Sequence, residues 1–195
     1  MNEWKGKYAN DTELRTLEEA LIGADLFVGV SAKGALKAEW LKKMASKPMV
    51  FALANPDPEI TPEEAKAAVP DVIIGTGRSD YPNQVNNVMC FPYLFRGALD
   101  VRAKRITEKM KVATATALAE LAREDVPAEV SKLYGRELKF GPDYIIPTPF
   151  DPRLLIKIST AAAKAACEEE GVAMVYYNDW DLYATHLQQR LDKRL

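Results

Sequence analysis

An α/β fold, with a parallel sheet of about three strands followed by a helical C-terminal region, is what three observations in this sequence predict. Three compact apolar runs, at residues 26–30 (LFVGV), 49–54 (MVFALA) and 72–77 (VIIGTG), are continuous rather than alternating, as strands buried on both faces tend to be. Helical patterns lie before and between them, the order expected of a parallel sheet with right-handed crossovers. Beyond residue 77 no further clear strand pattern appears, and helical periodicity dominates.

In chain order, residues 12–25 (TELRTLEEALIGAD) space Leu14, Leu17, Ala20 and Leu21 for a short amphipathic helix that Gly23 ends. The first strand run follows. Helices are expected over 36–45 (LKAEWLKKMA) and 61–69 (TPEEAKAAV), the second opened by Thr61 as N-cap, Pro62 at the first helical position and Glu64 completing a capping box. Later helices are expected at 85–101, 107–123, 128–134, 152–170 and 180–190. The connection LKFGPDYIIPTPFDPR at 138–153 holds four prolines, which keep it from becoming helix. Neither side of that connection has a full core of its own, so the chain reads as one domain.

Composition narrows the function. The 195 residues are 48% hydrophobic and 28% charged, enough for one globular domain with a sizeable core. A net charge of −2 gives no electrostatic reason to expect nucleic acid. No apolar run approaches the ~20 residues that span a bilayer, and MNEWKGKYAND lacks the features of a signal peptide, so a cytoplasmic location and no membrane partner are expected. Cys90, Cys167 and the lone His186 support neither a disulfide framework nor a zinc site, and both thiols are expected to be buried and reduced.

In open parallel sheets, ligands bind beyond the carboxyl ends of the strands. Three polar or Gly-rich segments follow the strand runs directly: GVSAKG at 29–34, ANPDPE at 54–59 and GTGRSDYPNQVNN at 75–87. They are expected to meet on one edge. Gly29, Ser31 and Gly34 let backbone approach a ligand, and Asn55, Asn86 and Asn87 offer amides that can orient hydroxyls or carboxylates. Asn86 and Asn87 are also expected to open a helix, where free N–H groups favour an anion. Each has a plainer reading: Asn55 before Pro56 initiates a turn, Asn86 caps its helix, and Arg78 with Asp80 is a solvated pair.

Three stretches, GADLFVGVSAKGALK, MVFALANPDPEITPEEA and IIGTGRSDYPNQVNNVMCFPYLFRGALDV, resemble the cofactor domain of bacterial malic enzymes, which oxidatively decarboxylate malate to pyruvate and CO2. The resemblance runs from KYANDTELRTLEEAL through IPTPFDPRLLIKISTAAAKAA, nearly the whole chain. It implies a partial Rossmann-like fold and a single incomplete NAD(P)-binding domain over 1–195, with an α/β part at about 11–85 and a helical part at about 86–195. Carried over residue by residue, it implies that Asn55 and Asn87 contact malate. Gly29, Val30, Ser31, Asn55 and Asn86 would contact NAD or NADP.

The departures from the family pattern are equally specific. The resemblance implies a Tyr and a Lys for acid/base chemistry, acidic ligands for Mg or Mn, and a GxGxxG phosphate loop, and none of these matches a residue of this chain. No catalytic or metal-ligating residue is therefore assigned, and the chain by itself is expected to be catalytically incomplete. Expected partners are malate or pyruvate and either the missing N-terminal half of the enzyme or a second copy, in a homo-oligomer. The alternative is a non-catalytic nucleotide- or partner-binding module descended from such an enzyme.

Overall fold

The computed structural model describes residues 2–192. They divide into two compact units, residues 1–73 and 74–195, of which the terminal residues 1 and 193–195 lie outside the described set. The three expected strands are present, β1 (Leu26–Gly29), β2 (Met49–Ala52) and β3 (Ile73–Thr76), in the sheet order β1-β2-β3. β1 and β2 run parallel, with Leu26 opposite Met49 and Gly29 opposite Ala52.

The first unit opens with a short helix that no pattern announces, α1 (Glu3–Gly6), and its other helices are shorter than their patterns suggest: α2 (Leu17–Ala20), α3 (Ala38–Leu41) and α4 (Pro62–Ala68). Thr16 opens α2 with a capping box closed by Glu19, which starts the helix three residues beyond Leu14. Gly23 ends that segment at φ +71, a conformation that a residue with a Cβ resists. α4 matches its expected signals, with Thr61 and Glu64 capping each other and Pro62 in the first turn. Leu21, Phe27, Leu36, Leu41, Val50, Ala52, Ile60, Ala65 and Val72 form the unit's buried apolar set.

The strands depart from the expectation of burial on both faces. Phe27 is buried, but Leu26 and Val28 are 45% and 55% exposed, so β1 alternates. Met49 on β2 is also exposed, whereas Ile74, Gly75 and Thr76 on β3 are all buried. The physical reason is coverage: among the described residues nothing packs over the outward face of β1, which is also the edge strand. A continuous apolar run reports that a strand can be covered on both sides, not that this chain supplies both covers.

The second unit is helical. The expected helix at 85–101 resolves into a single 3₁₀ turn (Asn87–Met89) followed by α5 (Phe91–Asp100). α6 (Glu108–Arg123) starts at its expected N-cap, Thr107, which accepts from the Met110 N–H. α7 (Ala128–Leu133), α8 (Arg153–Cys167) and α9 (Trp180–Asp192) complete it. α5, α6 and α9 all pack on α8, whose Leu154, Ile158, Ala162, Ala163, Ala165 and Ala166 are buried. Asp151, buried just ahead of α8, accepts from the Arg153 N–H and guanidinium. Cys90 and Cys167 are free thiols and half-buried rather than buried.

Close approach of α5 to α8 depends on Gly97. A Cβ there would lie 2.3 Å from the Ser159 carbonyl oxygen, 2.9 Å from Ala162 Cβ and 3.0 Å from Ala163 N. Two of these atoms are helix backbone, so the helices must separate to admit a methyl. Gly97→Ala is expected to destabilise the chain by about 1–3 kcal/mol despite its better helix propensity. Chemical denaturation checks this, and an unchanged or raised midpoint refutes the packing argument.

Candidate functional site

In the first unit, the segments leaving β1 and β2 are drawn together by one side chain, Glu59. Its carboxylate is fully covered by protein. Oε1 accepts from the Ser31 N–H at 2.7 Å and the Ser31 hydroxyl at 3.0 Å, and Oε2 accepts from the Ala54 N–H at 3.0 Å. The Glu59 carbonyl in turn accepts from the Leu36 N–H. Gly29 is required beside it, because a Cβ at that position would stand 2.5 Å from Glu59 Cδ.

Burial is the largest influence on the Glu59 pKa and pushes it up. The N–H groups of Ser31, Ala54 and Glu59 itself, with the Ser31 hydroxyl, together outweigh burial and hold the pKa below its ordinary 4.5. The group is an anion whose negative charge is met by hydrogen-bond donors rather than by a cation. Sequence reading passed over Glu59. The available signal was an acidic residue set between Pro58 and Ile60, both of which are buried.

The expected site residues of this unit are placed as follows. Gly29 is buried at the end of β1, Val30 is largely exposed, and Ser31 has both its donors engaged by Glu59. Asn55 is exposed, precedes Pro56 through a cis peptide bond, and its side-chain amide makes no hydrogen bond among the described residues.

In the second unit, the loop after β3 is pinned by Asn83, at φ +53 and almost fully buried. Its Nδ2 donates to the Ile74 and Pro142 carbonyls at 2.9 and 2.7 Å, and its Oδ1 accepts from the Ile145 N–H at 2.9 Å. This third Asn of the stretch is a clasp between the loop and the proline-rich connection. The Val85 N–H reaches the Thr76 carbonyl at 2.7 Å and fixes the path toward Asn86.

Asn86 and Asn87 differ in role. Asn86 Oδ1 accepts from the Val88 N–H at 3.0 Å, the capping role that was its plainer reading. Asn87 is exposed, and its side-chain amide is unengaged among the described residues. The expected anion site at the start of a long helix is corrected: the pair opens one 3₁₀ turn, whose few aligned peptides carry little dipole. Arg78 and Asp80 form the exposed bidentate pair, at 2.9 and 2.6 Å, with the Arg78 guanidinium over Tyr81. A cavity of about 320 Å³ lies between this loop and residues 143–149, and neither Asn86 nor Asn87 lines it.

Each on its own unit, the exposed amides of Asn55 and Asn87 have the donors and acceptors that a ribose, a carboxamide or a carboxylate can use. No GxGxxG is present to cradle a pyrophosphate. The residues do not fit a divalent metal, since among the described residues no group of three or more His, Cys, Asp or Glu is placed to hold one. No helix of the described residues is long and apolar enough to cross a membrane.

The buried carboxylate sets a pH dependence. Because the folded pKa of Glu59 is lowered, its stabilisation is complete above the unfolded value and is lost as pH falls through the folded one. Glu59→Gln is expected to cost about 1–3 kcal/mol at neutral pH, with the difference from wild type shrinking below about pH 4. Melting curves of both proteins over pH 3–7 read this directly; a difference independent of pH contradicts the ionised assignment.

Comparison with known proteins places the chain in a family. The family described as "Malic enzyme, NAD binding domain" matches residues 2–136. A probable NADP-dependent malic enzyme of Rickettsia prowazekii is 58% identical over 98% of this chain and 25% of its own length. An NAD-dependent malic enzyme of Rhizobium meliloti is 53% identical over 97% and 24%. The crystal structure of Entamoeba histolytica malic enzyme superposes with a TM-score of 0.80 at 38% identity, covering 94% of this chain and 35% of that one. The chain thus spans about a quarter of the length of these two curated relatives. With most of its length matched by the family's sequence pattern and its fold shared with a solved member, this chain belongs to the malic enzyme family, in the part that forms the NAD-binding domain.

Proposed function

We propose that this chain supplies the substrate-facing end of the NAD(P)-binding domain of an enzyme that oxidises malate and releases pyruvate and CO2. The observation that carries the reading is the contrast among the four asparagines of the two loops. Asn83 and Asn86 are engaged internally, while Asn55 and Asn87 present free, exposed amides. A surface asparagine kept only for a turn or cap would spend its side chain on the backbone, as Asn86 does.

Bound NAD(P) would accept the hydride that leaves C2 of malate. Asn87 Nδ2 can donate to a malate carboxylate or to the C2 oxygen, and Asn55 can do the same from the loop after β2. Residues 1–195 would act as one incomplete cofactor domain, each segment that follows a strand offering its own polar groups to a ligand. Neither amide takes up a proton near neutral pH, so the base that accepts the hydroxyl proton belongs to segments the longer relatives carry. The residues of this chain therefore bind and orient, and the chain alone is expected not to reduce NAD(P) with malate. Assembly with those segments, or with a second copy, is part of the same proposal.

The test is a pair of substitutions in an enzyme completed with the remaining segments of a relative. Asn87→Ala should leave melting unchanged and lower kcat/KM for malate by the equivalent of about 1–3 kcal/mol, the cost of an unmet buried partner. Asn86→Ala should lower stability by about 1 kcal/mol through loss of the cap. Reduced melting with unchanged malate kinetics in Asn87→Ala assigns that residue to structure and removes the basis of the proposal.

A further inference from the structure

Three hydrogen bonds converge on the Glu59 carboxylate beside the ends of β1 and β2. We propose that Glu59 is a positioning residue, which sets the Asn55 loop against the Val30–Ser31 loop and thereby aims the Asn55 amide, and that the Ser31 hydroxyl serves Glu59 rather than a bound cofactor. The proposal rests on the preceding reading that Asn55 faces malate.

The geometry carries it. The two oxygens of one rigid carboxylate hold different loops, Oε1 both donors of Ser31 and Oε2 the Ala54 N–H, which immediately precedes Asn55. The spacing between the loops is therefore fixed by the width of a carboxylate. No other side chain at this position has two acceptors at that spacing and that reach. Gln turns an NH2 toward an N–H whichever way its amide is placed, and Asp is one methylene short. Gly29 leaves the space in which the carboxylate sits, and capped α4 begins just after Glu59, at Pro62. Exposed Asn55 has no other tether for its side chain.

The reassignment of Ser31 follows from counting donors. Its N–H and hydroxyl both point to Glu59 Oε1, so neither is left to donate to a ribose or phosphate. Its carbonyl and the acceptor lone pairs of its hydroxyl remain for a ligand, beside exposed Val30.

Amide hydrogen exchange on the ¹⁵N-labelled chain tests the proposal without any ligand. In Glu59→Gln, protection at Ser31 and Ala54 should fall by roughly tenfold or more, while Met49, whose N–H donates to the Asp25 carbonyl at the start of the β1–β2 ladder, keeps its own. Ser31→Ala removes one donor and should lower protection at Ala54 less, which keeps the question answerable if Glu59→Gln does not fold. Ser31→Thr, which retains the hydroxyl, should restore the wild-type pattern. In an enzyme completed as above, Glu59→Gln should raise KM for malate several-fold more than it lowers kcat, and Ser31→Ala should leave NAD(P) affinity unchanged. Unchanged protection at Ala54 in both variants, or a Ser31→Ala variant that loses NAD(P) affinity with normal exchange, overturns the assignment. If the completed wild-type enzyme has no malate activity, the functional reading fails by itself, and the exchange pattern still decides whether Glu59 sets the two loops.

Discussion

A carboxylate with no exposed surface has to be ionised and fully bonded or neutral, and Glu59 takes the first course. Its hydrogen bonds are charge-assisted and run to two chain segments 5 and 28 residues away. Much around the strand ends follows from that choice. Gly29 must lack a side chain, Ser31 must turn inward, and Ala54 must present its N–H to the carboxylate, which leaves Asn55 as the first residue free to point outward. Anion and donors form a buried polar network in which every member is satisfied, the condition under which such networks specify structure rather than weaken it.

The second unit solves a similar problem with neutral groups. Asn83 spends both halves of its amide on backbone of β3 and of the proline-rich connection, so a stretch that sequence pattern marks as irregular is held in one conformation. Around α8 the binding principle is small-residue packing. Gly97 and the alanines of α8 let two helices approach closely, and Asp151 with Arg153 fixes where α8 begins. Asp100, nearly buried on α5, accepts from Tyr183 at 2.8 Å and pairs with Arg96, which attaches α9 to the same core. These ties explain why residues that look like surface loop and terminal helix belong to a packed body.

The asparagines show how one residue type divides its labour. Four of them lie in two loops, and composition treats them alike. Backbone geometry separates them: an Asn whose side chain faces a nearby unpaired N–H or carbonyl becomes a cap or clasp, and one pointing away from the chain keeps its amide open to solvent. Asn83 went unassigned in the sequence because its partners at 142 and 145 lie about sixty residues away, beyond any local pattern.

What the sequence determined by itself was the local grammar and the family. Strand positions, the capping box at Thr61 and Glu64, the start of α6 at Thr107 and the stop at Gly23 are encoded within a few residues, since capping, periodicity and turn chemistry act over that range. The stretches flanking the strands carried the family resemblance. Tertiary structure alone decided how far α3 extends, which face of β1 is covered, that 85–101 breaks into a turn and a helix, and which polar side chains are engaged. Those outcomes depend on partners distant in the chain: Glu59 closes on Ser31 across 28 residues and Asn83 on Pro142 across 59, and long-range pairing of this kind leaves no periodic trace in the residues between.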